Sequence, residues 1–110
     1  MDSTARSPRT VIVTGAAGGL GRAFAEAFAR RGDLAVIADV DEAGAQRAAS
    51  AIVEAGGKAI GVRVDVTDAN SARELAAAAA AAGDGGIDVI VNNAAIYATL
   101  TRSPFEEIDE

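Results

Sequence analysis

Four short runs rich in β-branched residues, each separated from the next by a longer stretch of helical periodicity, constrain this chain more than any other feature. Thr10 to Thr14 (TVIVT), Leu34 to Asp39 (LAVIAD), Lys58 to Asp65 with Ile60, Val62 and Val64 at period two, and Ile87 to Val91 (IDVIV) read as strands. Gly19 to Arg31 reads as the first helix, with Phe24 and Phe28 four apart and Gly32 as its stop. Asp41 is placed to cap a second helix whose inner face is Ala45, Ala48, Ala49, Ile52 and Val53, closed by Gly56-Gly57. Thr67 or Asp68 caps a third, running through Leu75 and the tract Ala76 to Ala82 to the glycines Gly83, Gly85 and Gly86. That tract has strong helix formers and almost no large side chains, so it is expected to lie flat on a sheet. Strands alternating with helices give a parallel sheet with right-handed crossovers, hence an α/β fold.

The 110 residues fit one domain, and with half of them hydrophobic a packed core is expected. Only 4% are aromatic, which suits a sheet covered by closely packed, small-residue helices. The formal charge of −6 comes without a basic stripe, which argues against nucleic-acid binding but leaves single phosphates open, because helix N-termini bind them through backbone N–H groups. With no Cys and no His, disulfides, thiol chemistry, the usual zinc ligands and the commonest general base are excluded, and no metal site is expected. No stretch approaches the roughly 20 apolar residues that span a bilayer, so no membrane partner is expected. Residues 1–9 are read as a disordered leader rather than a signal peptide, and the protein as cytoplasmic.

Thr14-Gly15-Ala16-Ala17-Gly18-Gly19-Leu20-Gly21 joins the first strand to the first helix. In that setting Gly15 allows a tight turn, Gly19 lets backbone approach a pyrophosphate, and Gly21 lets the helix pack close to the strand. Asp39 ends the second strand, near the ~20 residues beyond the loop at which a ribose-binding acid stands. Its charge repels a 2′-phosphate, and no Arg or Lys occupies Ala16 to Leu20 or Val40 to offset it. Asp41 is better placed than Asp39 to cap the next helix, so ribose binding is the favoured role for Asp39, and NAD is expected over NADP.

Thr14-Gly15-x-x-x-Gly19-x-Gly21, Asp39, Asp65-Val66 after the third strand and Asn92-Asn93-Ala94 after the fourth resemble the short-chain dehydrogenase/reductase family. The resemblance covers Thr10 to about Ala95. It implies a three-layer Rossmann fold with a partial, doubly wound parallel sheet of order 3-2-1-4, the second half missing. It also implies that Asp65 contacts the adenine amino group, that Val66 contacts the ring through its backbone, and that Asn92 sits beside the ribose and ties the fourth strand to its neighbours. Ala94 and Leu20 would lie along the cofactor towards the nicotinamide. The cofactor set is then Gly15, Ala17, Gly18, Gly19, Leu20, Gly21, Asp39, Val40, Asp65, Val66, Asn92 and Ala94. One departure from the family pattern is Ala95, where glycine is usual. Taken singly, Asp65 also reads as a helix cap and Asn92-Asn93 as an ordinary turn.

The family's chemistry uses a Tyr and a Lys four apart, with a Ser and an Asn. The one tyrosine here, Tyr97, is followed four residues on by Thr101, and Ser103 reads as a helix cap, so no catalytic residue is assigned. Ser103-Pro104-Phe105-Glu106 is a capping box, and residues 103–110 read as the start of a helix cut short, with carboxylates where a C-terminal cap belongs. The expectation is the N-terminal part of a single Rossmann domain over residues 1–110, inactive alone. The parent would be an NAD-dependent enzyme interconverting an alcohol and a ketone, and a homo-oligomer. Two other readings stand beside it, a non-catalytic NAD-binding or interaction module and a methyltransferase-like nucleotide domain. The Asn-Asn-Ala segment and the glycine spacing favour the dehydrogenase, and a P-loop is excluded because no Gly-Lys-Ser/Thr follows the loop.

Overall fold

The computed structural model describes residues 9–83 and 86–93. The element order is β1 (Thr10–Thr14), α1 (Gly19–Arg30), β2 (Leu34–Asp39), α2 (Glu42–Glu54), β3 (Lys58–Arg63), α3 (Ala69–Ala82) and β4 (Val89–Asn92). The four strands form one parallel sheet in the order β3-β2-β1-β4. The chain winds outward from β1 to β3, then crosses back to place β4 on the other side of β1. This is the α/β, Rossmann-like arrangement the sequence predicts.

Alternation along the central strands builds two apolar layers. On one face Val11, Val13, Ala35 and Ile37 meet Ala25 and Ala29 of α1 and Ala45, Ala48, Ala49 and Ile52 of α2. On the other, Ile12, Val36, Ala38 and Val64 meet Leu75 and Ala79 of α3. Small residues on all three helices let helix backbones sit close to the sheet. The closest approach on β3 is at Gly61, where an added Cβ would lie 2.7 Å from the Ala45 carbonyl carbon.

Three expectations shift. Val53 is 53% exposed, because the buried stripe of α2 runs through Ala45, Ala48, Ala49 and Ile52 and Val53 lies one helical step off it. β3 ends at Arg63 rather than Asp65, since its partner β2 ends at Asp39, directly opposite. β4 begins at Val89 rather than Ile87: Asp88 donates its N–H to the Thr10 carbonyl (2.9 Å) and accepts the Thr10 N–H on its side chain (2.8 Å), closing the ladder there. Val89 and Val91 are half-buried, while Ile90, on the α3 side, is 63% exposed.

Arg9, expected within a disordered leader, is anchored. Its guanidinium pairs with the buried Asp33 carboxylate at 3.0 Å, its backbone N–H donates to the same side chain, and its guanidinium carbon stands 6.0 Å from the centre of the Phe28 ring. The expectations for residues 1–8, Gly85, Ala94, Tyr97 and the helix over 103–110 lie outside the described residues. No helix among the described residues is long and apolar enough to cross a membrane, and no group of metal-binding side chains occurs among them.

Candidate functional site

In a parallel sheet whose strand order reverses, the loops leaving the reversal diverge and open a crevice at the carboxyl ends of the strands. Here the reversal falls between β1 and β4. The loop leaving β1 is the glycine segment, in which Gly15 (φ +66°) and Gly19 (φ +60°) both adopt the left-handed conformation. The first intrahelical bond of α1 runs from the Arg22 N–H to the Gly18 carbonyl (3.3 Å), so the N–H groups of Gly19, Leu20 and Gly21 have no acceptor inside the helix. Asp41 and Asp68 cap α2 and α3 through their carboxylates, whereas Gly18 at the start of α1 supplies no side-chain cap. A Cβ on Gly19 would meet nothing within 4 Å, so the backbone is open at Gly19.

The loop is tied down from both sides. On the β2 side, the Ala16 N–H donates to the Ala38 carbonyl (3.3 Å) and the Ala17 N–H donates to Asp39 Oδ2 (3.0 Å). The other oxygen, Oδ1, accepts the Asp41 N–H (3.0 Å). Asp39 therefore does not cap α2; Asp41 does, accepting the Gly44 N–H at 3.0 Å. On the β4 side, the Thr14 hydroxyl donates to Asn92 Oδ1 (3.0 Å), and the buried Asn93 donates its side-chain N–H to the Gly15 carbonyl (3.2 Å).

Beside the loop, Gly15, Asp39, Val40, Val64, Asp65 and Val66 line a cavity of about 250 Å³. Val40 and Val66 are largely exposed, so two apolar side chains flank this opening without being used in the core. Asp65 Oδ1 accepts both the hydroxyl (2.6 Å) and the N–H (3.0 Å) of Thr67, and these bonds hold its carboxyl below the usual carboxylate range. The Asp65 side chain thus organises the turn ahead of α3, and Asp68 caps the helix itself. Two larger hollows, of about 420 and 570 Å³, lie between the ends of α1 and α2 and along α2 and β3. Neither adjoins the glycine loop or the carboxyl ends of the strands, so the smaller cavity marks the site.

Of the twelve candidate positions, eleven are described, and the structure gathers them at this end of the sheet; Ala94 lies outside the described residues. Sequence reading missed two contributors. Asn93 is a hydrogen-bond partner of the turn rather than part of a simple loop. Gly44, in the first turn of α2, packs against Ala17; an added Cβ would come within 2.9 Å of the Ala17 Cβ. Neither contact has a local signature, because each joins residues far apart in the chain.

A family model described as short chain dehydrogenase matches residues 9–110. Among curated proteins, the chain is 46% identical over 101 residues to cis-4-hydroxycyclohexanecarboxylate dehydrogenase of Sinomonas cyclohexanicum, covering 92% of this chain and 39% of that protein. It is 48% identical over 92 residues to L-rhamnose 1-dehydrogenase (NAD(P)(+)) of Azotobacter vinelandii, covering 80% of this chain and 36% of that one. Among solved structures it resembles a short chain dehydrogenase/reductase from Burkholderia phymatum in complex with NAD, with a TM-score of 0.72 and 39% identity. That match covers 76% of this chain and 30% of the other. The chain thus spans well under half the length of these relatives.

Proposed function

This chain belongs to the short chain dehydrogenases, and from that premise we propose that it forms the part of an NAD-dependent alcohol–ketone oxidoreductase that holds the ADP half of the cofactor. The observation that carries the reading is the Asp39 carboxylate, standing at the end of β2 and bonded to the glycine loop through the Ala17 N–H. The site fits a dinucleotide on its own geometry. Three helix-start amides lack intrahelical acceptors, the backbone is open at Gly19, and a small cavity flanked by valines adjoins the loop at Gly15.

In this reading the amides of Gly19, Leu20 and Gly21, with the Gly15, Ala17 and Gly18 backbone shaping the loop, hold the pyrophosphate at the positive end of α1. Asp39 accepts the ribose hydroxyls and repels a 2′-phosphate, which favours NAD over NADP. Val40, Asp65 and Val66 receive the adenine, and Asn92, Ala94 and Leu20 lie along the cofactor beyond it. When bound, the nicotinamide supplies the hydride chemistry. The 110 residues hold no Tyr followed four residues later by Lys, so proton exchange with the substrate oxygen is assigned to residues other than these, and these alone are inactive. A cytoplasmic, homo-oligomeric enzyme acting on a small alcohol or ketone completes the proposal.

The test is the affinity of the chain for NAD and NADP, by calorimetry, with and without Asp39→Ala. A charge-assisted hydrogen bond contributes about 1.5–3 kcal/mol, so NAD should weaken at least about tenfold. NADP should weaken less, because the variant also removes a repulsion. Equal losses for the two cofactors would refute the ribose role.

A further inference from the structure

Asp39, Asp41, Gly44 and Ala17 form a closed circuit between the glycine loop and the start of α2. The Ala17 N–H donates to Asp39 Oδ2, the Asp41 N–H donates to Asp39 Oδ1, and the Gly44 N–H donates to Asp41 Oδ1, each at 3.0 Å. Packing closes the circuit. Gly44 is buried, and a Cβ there would stand 2.9 Å from the Ala17 Cβ and would also strike the Asp41 carboxylate.

The two obstructions differ in kind. The Asp41 carboxylate is the end of a rotatable side chain and can turn aside. The Ala17 Cβ is fixed to the backbone of the loop, so relieving that contact means moving the loop or the helix. α2 is seated on the sheet by buried Ala45, Ala48, Ala49 and Ile52 and by the close approach of the Ala45 backbone to Gly61. Ala17 is held by the single bond of its N–H to Asp39, so a side chain at position 44 strains that bond before it unseats α2.

We propose that Gly44 is a positioning residue of the cofactor site: its missing Cβ lets the first turn of α2 seat against Ala17 and keeps the Ala17 N–H on the Asp39 carboxylate. The inference rests on the cofactor reading above and extends it to a residue outside the glycine loop and the strand ends. It assigns Gly44 a role through Ala17, with no contact of its own to the cofactor. A side chain at position 44 displaces Ala17 and, with it, the amides of Gly18 to Gly21 that follow in the same loop. Ala is a better helix former than Gly, which offsets the N-cap bond given up when the Asp41 carboxylate turns aside. A loss of cofactor affinity that came through a weakened α2 would persist with Ala17 replaced by Gly, so the Ala17→Gly background separates the two causes.

Four versions of the full chain decide it: wild type, Gly44→Ala, Ala17→Gly and the double variant. NAD affinity is measured by calorimetry, and amide exchange at residue 17 by NMR without cofactor. Overpacking of one methyl should weaken NAD about tenfold in Gly44→Ala and speed exchange at Ala17. With Ala17 already replaced by Gly the obstructing Cβ is gone, and Gly44→Ala should then change NAD affinity less than about twofold. Unchanged NAD affinity and unchanged exchange at Ala17 in Gly44→Ala would overturn the proposal, as would a loss of affinity that persists in the Ala17→Gly background. Faster Ala17 exchange in Gly44→Ala from a wild type that binds no NAD would refute the cofactor reading while upholding the Gly44–Ala17 contact.

Discussion

Replacing Gly21 with alanine tests whether the first helix is held against the first strand by the absence of one methyl group. Gly21 lies in the first turn of α1 and is buried. A Cβ there would strike the Gly15 carbonyl oxygen and lie 2.9 Å from the Gly15 carbonyl carbon and 2.8 Å from Asn93 Nδ2. None of these neighbours can step aside freely, because Gly15 is main chain at a left-handed turn and Asn93 is bonded to that same carbonyl at 3.2 Å. Overpacking costs about 1–3 kcal/mol. Stripping a buried amide of its partner costs about 1–3 kcal/mol more. The better helix preference of Ala returns about 1 kcal/mol. The net loss should therefore be about 1–5 kcal/mol. Urea denaturation followed by far-UV circular dichroism would show it as a midpoint lowered by about 0.5–2.5 M, given a slope of about 2 kcal/mol per molar. Gly18→Ala is the matched control. Its φ of −161° suits any residue and a Cβ there meets nothing within 4 Å, so its stability should hold to within about 0.5 kcal/mol. Equal midpoints for the two variants would refute the close-packing argument.

Gly19→Val should abolish NAD binding, since the branched side chain would stand in the open space before the helix-start amides, and its left-handed φ should cost about 1–2 kcal/mol of stability as well; NAD binding at wild-type strength would rule out this loop as the phosphate site. Acid should act through Asp33: burial pushes its carboxyl up, but the bonds from Arg9, helped by Arg31, outweigh that and leave it below the usual range. With the folded value lowered from an unfolded one of about 3.9, the contribution is whole above that pH and is lost as pH falls through the folded value. Asp33→Asn should flatten this acid limb in melting temperature against pH, and superimposable limbs would show that the Arg9–Asp33 pair is not its source.

What the sequence made legible follows from range. β1 and β2 fall where their β-branched runs lie, and Asp41 and Asp68 cap where a short acidic side chain precedes helical periodicity, because each feature is decided within a few residues. The glycine loop and Asp39 were readable for the same reason. Ends of strands were harder. The alternation of Ile60, Val62 and Val64 continues past Arg63, but pairing stops when β2 runs out of partners at Asp39. Arg9 looked like part of a loose leader because its partner Asp33 is 24 residues away. Gly44 carries no mark among the other small residues of α2, and only the tertiary fold brings it to Ala17. Asp39 is the instructive case, since the sequence places it at the end of β2 and the structure shows its carboxylate joining two segments of backbone.

The ties that β4 makes to the glycine turn also set when the site can exist. Thr14 to Asn92 and Asn93 to Gly15 each link residues 78 apart. Closing a segment of that length costs roughly 4 kcal/mol of chain entropy, against a far shorter closure for pairing β1 with β2. During synthesis, β1, β2 and β3 can emerge and pair while the glycine turn still lacks half of its restraints. At about 5–20 residues per second, the stretch from β3 to Asn93 follows some seconds later. The pocket beside the glycine turn is opened by β1 and completed by β4, the last of these four strands to leave the ribosome, so a ligand arriving in between would meet a turn not yet held in shape.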